Sequence, residues 1–123
     1  MKILITTNTI PDKAGTYIVL KNIIPHLMKN NEVTILTNQC DVDIKCNKLV
    51  QLSTSNIFSQ YFFTSGLNKL LRDGFFNDFD IVHAFEYPLH TTDFLTLKKS
   101  KFTAPLLIST HGSLDQFGRF PLN

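Results

Sequence analysis

Tryptophan is absent from these 123 residues, cysteine occurs only as Cys40 and Cys46, and glycine and proline number five each. A lone cysteine pair with no second pair and no nearby histidine lacks zinc-finger spacing. The two read as reduced thiols of an intracellular chain. Charge is also sparse: 18% of residues are charged and the net charge is +2. That is too weak a field to argue for nucleic acid or a strongly anionic partner. No apolar run approaches the roughly 20 residues of a membrane span. Met1-Lys2 leads straight into a short strand-like segment, too short for a signal-peptide core. The expected location is the cytoplasm, with room for a peripheral contact at the inner membrane face. No internal repeat, low-complexity stretch or linker interrupts the chain, so residues 1–123 read as one domain.

What is present is an ordinary globular composition, 43% apolar, with phenylalanine unusually common at 11 residues. Lys2–Thr6 is a nearly continuous apolar run, the mark of a strand covered on both faces. After a polar loop over 7–16, Tyr17, Leu20, Ile23, Ile24, Leu27 and Met28 share one helix face. Pro25 predicts a kink or irregular turn there, and Asn30 and Asn31 predict the stop. Glu32–Thr37 is a second strand, 38–48 a loop, and Leu49–Leu52 a short third strand. Ser55 or Asn56 is positioned to cap a helix running to about Arg72, weakened in its middle by Gly66. Asp80–Phe85 is a fourth strand. A helix follows from Leu89 to about Lys99, with Lys98, Lys99 and Lys101 near its negative end. Leu106–Thr110 is a fifth strand and 111–123 reads as loop.

Strands alternating with helices imply an α/β fold: a Rossmann-like parallel sheet of about five strands, helices on both faces, right-handed crossovers. Ligands of such sheets bind at the carboxyl ends of the strands. The loops there are 7–16, 86–90 and 111–115. No metal-ligand spacing is visible in them.

The same places carry a resemblance. Lys2-Ile3-Leu4-Ile5-Thr6 precedes a loop with Pro11 and Gly15. Asn31-Glu32-Val33-Thr34-Ile35-Leu36-Thr37 forms the second strand, and Asp80-Ile81-Val82-His83-Ala84 the fourth. Ala104-Pro105 introduces a strand ending Ser109-Thr110-His111-Gly112, followed by Ser113-Leu114-Asp115. In order and spacing these segments resemble the N-terminal, acceptor-side domain of family-four glycosyltransferases with the GT-B fold, over nearly the whole chain. Two departures stand out. That family usually has two adjacent glycines where Lys13-Ala14-Gly15-Thr16 keeps one, and often a second histidine where Phe85 stands.

The resemblance implies transfer of a sugar from a nucleotide-sugar donor to an acceptor hydroxyl, in a cleft between two Rossmann-like domains and without a metal. It implies that the donor-binding C-terminal domain lies outside this chain, joined in cis or supplied in trans, and that these residues alone are inactive. Gly15 and Thr16 would offer backbone N–H groups to the donor's diphosphate at a helix N-terminus. His111 would act beside the transferred sugar, with Gly112 allowing a tight turn. His83, Glu86 and Asp115 would bind the acceptor. On the residues alone, His83 is equally a hydrogen-bonded core histidine, His111 a loop histidine, Glu86 a solvated carboxylate, Gly15 a turn glycine and Asp115 a helix cap. His26 and His90 read as surface residues. The aromatic stretch Phe58, Tyr61, Phe62, Phe63, with Phe75, Phe76 and Phe79, reads mostly as core; its excess would otherwise face a lipid or a missing domain.

Two other readings stand beside this one. One is a non-catalytic subunit of a split glycosyltransferase. The other is an unrelated doubly wound ligand-binding module. Against the latter, Thr6-Thr7-Asn8 lacks a receiver's acidic cluster, and Asp12–Thr16 lacks the Gly-Lys-Ser/Thr ending of a phosphate loop.

Overall fold

The computed structural model describes residues 1–7, 9–10, 15–40, 43–58, 61–85 and 90–109, with backbone alone at 9, 15–16, 39, 55–58 and 61–63. Among them, five parallel strands form the main sheet: β1 (Lys2–Thr6), β3 (Glu32–Thr37), β5 (Lys48–Gln51), β8 (Ile81–Phe85) and β9 (Leu106–Ser109), ordered β5-β3-β1-β8-β9. Two short pieces, β2 (Thr9–Ile10) and β4 (Gln39–Cys40), pair in parallel beyond the ends of β1 and β3. A third unit, β6 (Thr54–Phe58) with β7 (Tyr61–Thr64), is antiparallel. The helices are α1 (Gly15–Leu27), α2 (Leu67–Arg72) and α3 (His90–Leu97), with 3₁₀ turns at Phe75–Asp78 and Lys99–Lys101.

Alternation along the strands sorts side chains into two cores. Ile3, Ile5, Val33, Ile35 and Phe85 pack with Leu20 and Ile24 of α1 on one face. Leu4, Leu36 and Val82 pack with Leu67 of α2, Phe76, and Phe94 and Leu95 of α3 on the other. The sheet therefore has helices on both faces, as its near-continuous apolar strands predict. Phe76 is buried and stacks at 5.7 Å on Phe102, while Phe75 meets Phe76 and Phe79 edge-on. These phenylalanines are core. The side chains of Phe58, Tyr61, Phe62 and Phe63 lie outside the described residues.

Polar side chains fix the strand starts. Asp80 accepts the Lys2 N–H at 2.7 Å and returns its own N–H to the Lys2 carbonyl at 2.8 Å. Asn47 does the same with Val33 through its side chain and backbone N–H, at 2.7 and 2.9 Å, one residue before β5 begins. Helix α1 runs through Pro25 and ends two residues later, so the proline removes only a last-turn bond. The Asn31 amide donates to the Leu27 carbonyl at 2.9 Å, satisfying one of the carbonyls that a helix end leaves open.

Three expectations are corrected. The helix expected from Ser55 or Asn56 to Arg72 is an antiparallel β6–β7 unit followed by a short helix. Its residues, rich in aromatic and β-branched types, favour a pleated surface. Gly66, at φ 93°, sits in the left-handed region and confines the helix to 67–72. The loop expected over 38–48 contains β4, and β5 begins one residue earlier than expected, at Lys48.

Gly66→Ala is expected to destabilise the fold by about 1–2 kcal/mol, because an alanine there keeps the left-handed cost and its Cβ would lie 3.4 Å from Leu52 Cδ2. Gly74→Ala, at φ 80° in open space, should cost no more. Urea unfolding of both variants checks the order, and a Gly66→Ala midpoint equal to wild type contradicts it.

Candidate functional site

The chain places β1, β3 and β5 successively outward, then returns to lay β8 on the opposite side of β1. Strand order reverses between β1 and β8, and such a switch point opens a crevice at the carboxyl ends. The paired ends there are Thr6 with Ala84.

Helix α1 is described from Gly15, so Gly15 and Thr16 lie in its first described turn. His83 lies inside β8, beside Ile5 and Leu107. It is half-buried, its Nε2 lies 2.6 Å from Ser109 Oγ, and its ring lies 4.3 Å from that of Phe85, centroid to centroid. Phe85, at the position where the resembled family often has histidine, is buried in the α1-side core. Glu86, His111, Gly112 and Asp115 lie outside the described residues.

A second polar cluster lies where β3, β7 and α3 meet. The Thr64 hydroxyl donates to Asn38 Oδ1 at 3.0 Å and accepts from Thr91 at 3.2 Å, while the Thr64 N–H donates to His90 Nδ1 at 2.9 Å. His90, expected from sequence to be a surface residue, is thus half-buried and bonded. Burial lowers its pKa below the ordinary 6.5, and the Asp93 carboxylate opposes this by a smaller amount. Thr6, at the end of β1, is wholly buried with its hydroxyl unpaired.

Sequence reasoning did not select Ser109, Asn38, Thr64 or His90 as interacting groups. Their partners lie 26 residues away in the chain, beyond the reach of any local motif. A groove of about 300 Å³ runs along the flank of α1, lined by Tyr17, Leu20, Ile24 and Ile44 together with Lys21, Asp43 and Lys45. It is centred on the body of the helix rather than on the strand ends. Among the described residues no group of three His, Cys, Asp or Glu side chains is placed to hold a metal ion. No helix among them is long and apolar enough to cross a membrane. No family model, curated protein or solved structure matches the chain.

Two outcomes follow from these contacts. Unfolded His90 takes up a proton near pH 6.5, while the folded residue resists it. The stability due to this group is therefore full above pH 6.5 and is lost as pH falls from there toward the lower folded value. Urea midpoints of wild type are expected to fall over that window. They should fall less in His90→Asn, whose Oδ1 can replace Nδ1 as acceptor; parallel pH curves would refute the assignment. Thr6→Val removes a buried, unpaired hydroxyl at nearly constant shape, so it should be neutral or stabilising by up to about 1 kcal/mol. A loss of more than about 1 kcal/mol in thermal unfolding would count against it.

Proposed function

We propose that this chain is the acceptor-side half of a two-domain glycosyltransferase that moves a sugar from a nucleotide-sugar to an acceptor hydroxyl. The observation that carries the reading is the strand-order reversal between β1 and β8. Two segments bearing the resemblance, β1 and the strand β8 that holds His83, flank that reversal, and this supports the reading. In this reading the first-turn N–H groups of α1 meet charge developing on the departing diphosphate. His111 and Gly112 stand beside the transferred sugar. His83, Glu86 and Asp115 serve the acceptor side, and no metal is required. The nucleotide is held by a second domain.

An edge feature favours completion by further polypeptide, in cis or as a separate subunit. Strand β9 has no outer neighbour in the described sheet. Leu107 and Ile108, on its opposite faces, are 49% and 39% exposed. Edge strands are ordinarily blunted by charge, proline or a bulge, and Leu106–Ser109 has none of these.

The purified chain, offered a panel of nucleotide-sugars, is expected to show neither turnover nor tight donor binding. Mixed with a donor-binding domain encoded alongside it, it should support transfer. Robust turnover, or micromolar donor affinity, by the chain alone would sink the half-enzyme reading.

A further inference from the structure

Strand register places Ser109 nearer the ligand-bearing edge than His83. Ser109 lies level with Phe85, the last residue of β8, whereas His83 lies level with Leu107, two residues further in. The 2.6 Å contact between Ser109 Oγ and His83 Nε2 therefore runs diagonally inward from the carboxyl edge. Both residues are half-buried, and the imidazole is held on another side by the buried ring of Phe85. A ligand entering at the strand ends reaches Ser109 before it reaches His83.

From this geometry we infer that Ser109 is the contact residue for a ligand hydroxyl and that His83, behind it, is the positioning residue. The inference rests on the reading of the carboxyl edge as an acceptor site, and it replaces His83 by Ser109 as the group touching the acceptor.

With Nε2 unprotonated, the chemistry favours a neutral polyol over an anion. A serine hydroxyl has one proton and two lone pairs. When neutral His83 accepts that proton at Nε2, the lone pairs of Oγ are left for the ligand. Hydrogen bonds in such a chain strengthen one another, so Oγ becomes a better acceptor for an incoming O–H. An anionic group brings no proton to donate and meets those lone pairs unfavourably. The bond to His83 also holds Ser109 in one rotamer, which lowers the ordering cost of binding. No covalent step is involved; Ser109 orients the ligand oxygen and leaves its proton in place.

The test is NMR on the full ¹⁵N-labelled chain with methyl glucoside as the neutral polyol probe. Wild type is expected to show His83 Nε2 as an unprotonated, hydrogen-bonded nitrogen, and to show Ser109 and His83 signals moving together as the probe is added. Ser109→Ala should weaken the response roughly fivefold, and Ser109→Thr, which keeps the hydroxyl, should retain it. A His83 response in Ser109→Ala as strong as in wild type overturns the inference, because His83 would then be the direct contact. A protonated Nε2 facing Ser109, or a probe that moves neither signal, overturns it as well. Failure of sugar transfer in the mixing experiment, beside a positive Ser109 response, would sink the glycosyltransferase reading and leave the hydroxyl site standing.

Discussion

Everything in this fold hangs on the two-sided burial of β1. Leu4, Ile5 and Thr6 have no exposed surface and Ile3 has 8%. The strand is flanked by parallel partners, β3 and β8. Because its side chains alternate, this one strand supplies Ile3 and Ile5 to the α1-side core and Leu4 to the α3-side core. A one-residue slip in pairing would exchange the two sets. The Lys2–Asp80 bonds prevent that slip at the strand start, and Asn47 does the same for the β3 edge. The same central position puts β1 beside the reversal of strand order, the place where ligands of such sheets generally bind.

Where local pattern and tertiary burial agree, the fold was legible before any coordinates. The bounds of β1 and β3 are those read from Lys2–Thr6 and Glu32–Thr37. Strand β8 begins one residue later than expected, and β9 agrees from Leu106 to Ser109, its expected last residue Thr110 lying outside the described residues. Helix α1 was also readable, because its apolar face repeats over about three turns. The β6–β7 unit was not. Ile57, Phe58, Tyr61 and Phe62 are spaced as one helix face, yet the same residue types suit paired strands. What decides is a contact elsewhere: the Ser53 carbonyl takes the Ser65 N–H, and Thr64 is tied to Asn38 and His90. None of those partners is visible in a window of seven or eight residues.

The site follows the same division. Gly15 and Thr16 were expected at a helix start and are there, because a loop glycine before an apolar helical face is a local signal. His83 was recognisable as a polar residue inside an apolar strand, but its meaning depends on Ser109, which ordinary sequence reading treats as the end of a strand. The pairing exists only because β8 and β9 are parallel neighbours in register. Likewise His90 becomes an acceptor rather than a solvated ring only because β7 delivers the Thr64 N–H to it. Sequence motifs identified the strands that carry polar groups, while the sheet decided which groups meet.

The bond between Lys2 and Asp80 spans 78 positions, and this has a consequence for how the chain reaches its native state. β1 can pair early with β3, about 30 residues downstream, since closing that loop costs comparatively little entropy. Its other edge must wait until 81–85 has left the ribosome. Until then a strand that the native sheet buries almost completely has one unpaired side, a template for any passing strand. The late docking of β8 completes the β1 edge. A chain arrested before that point would leave β1 open on one side, and β9 can dock only after β8 is in place.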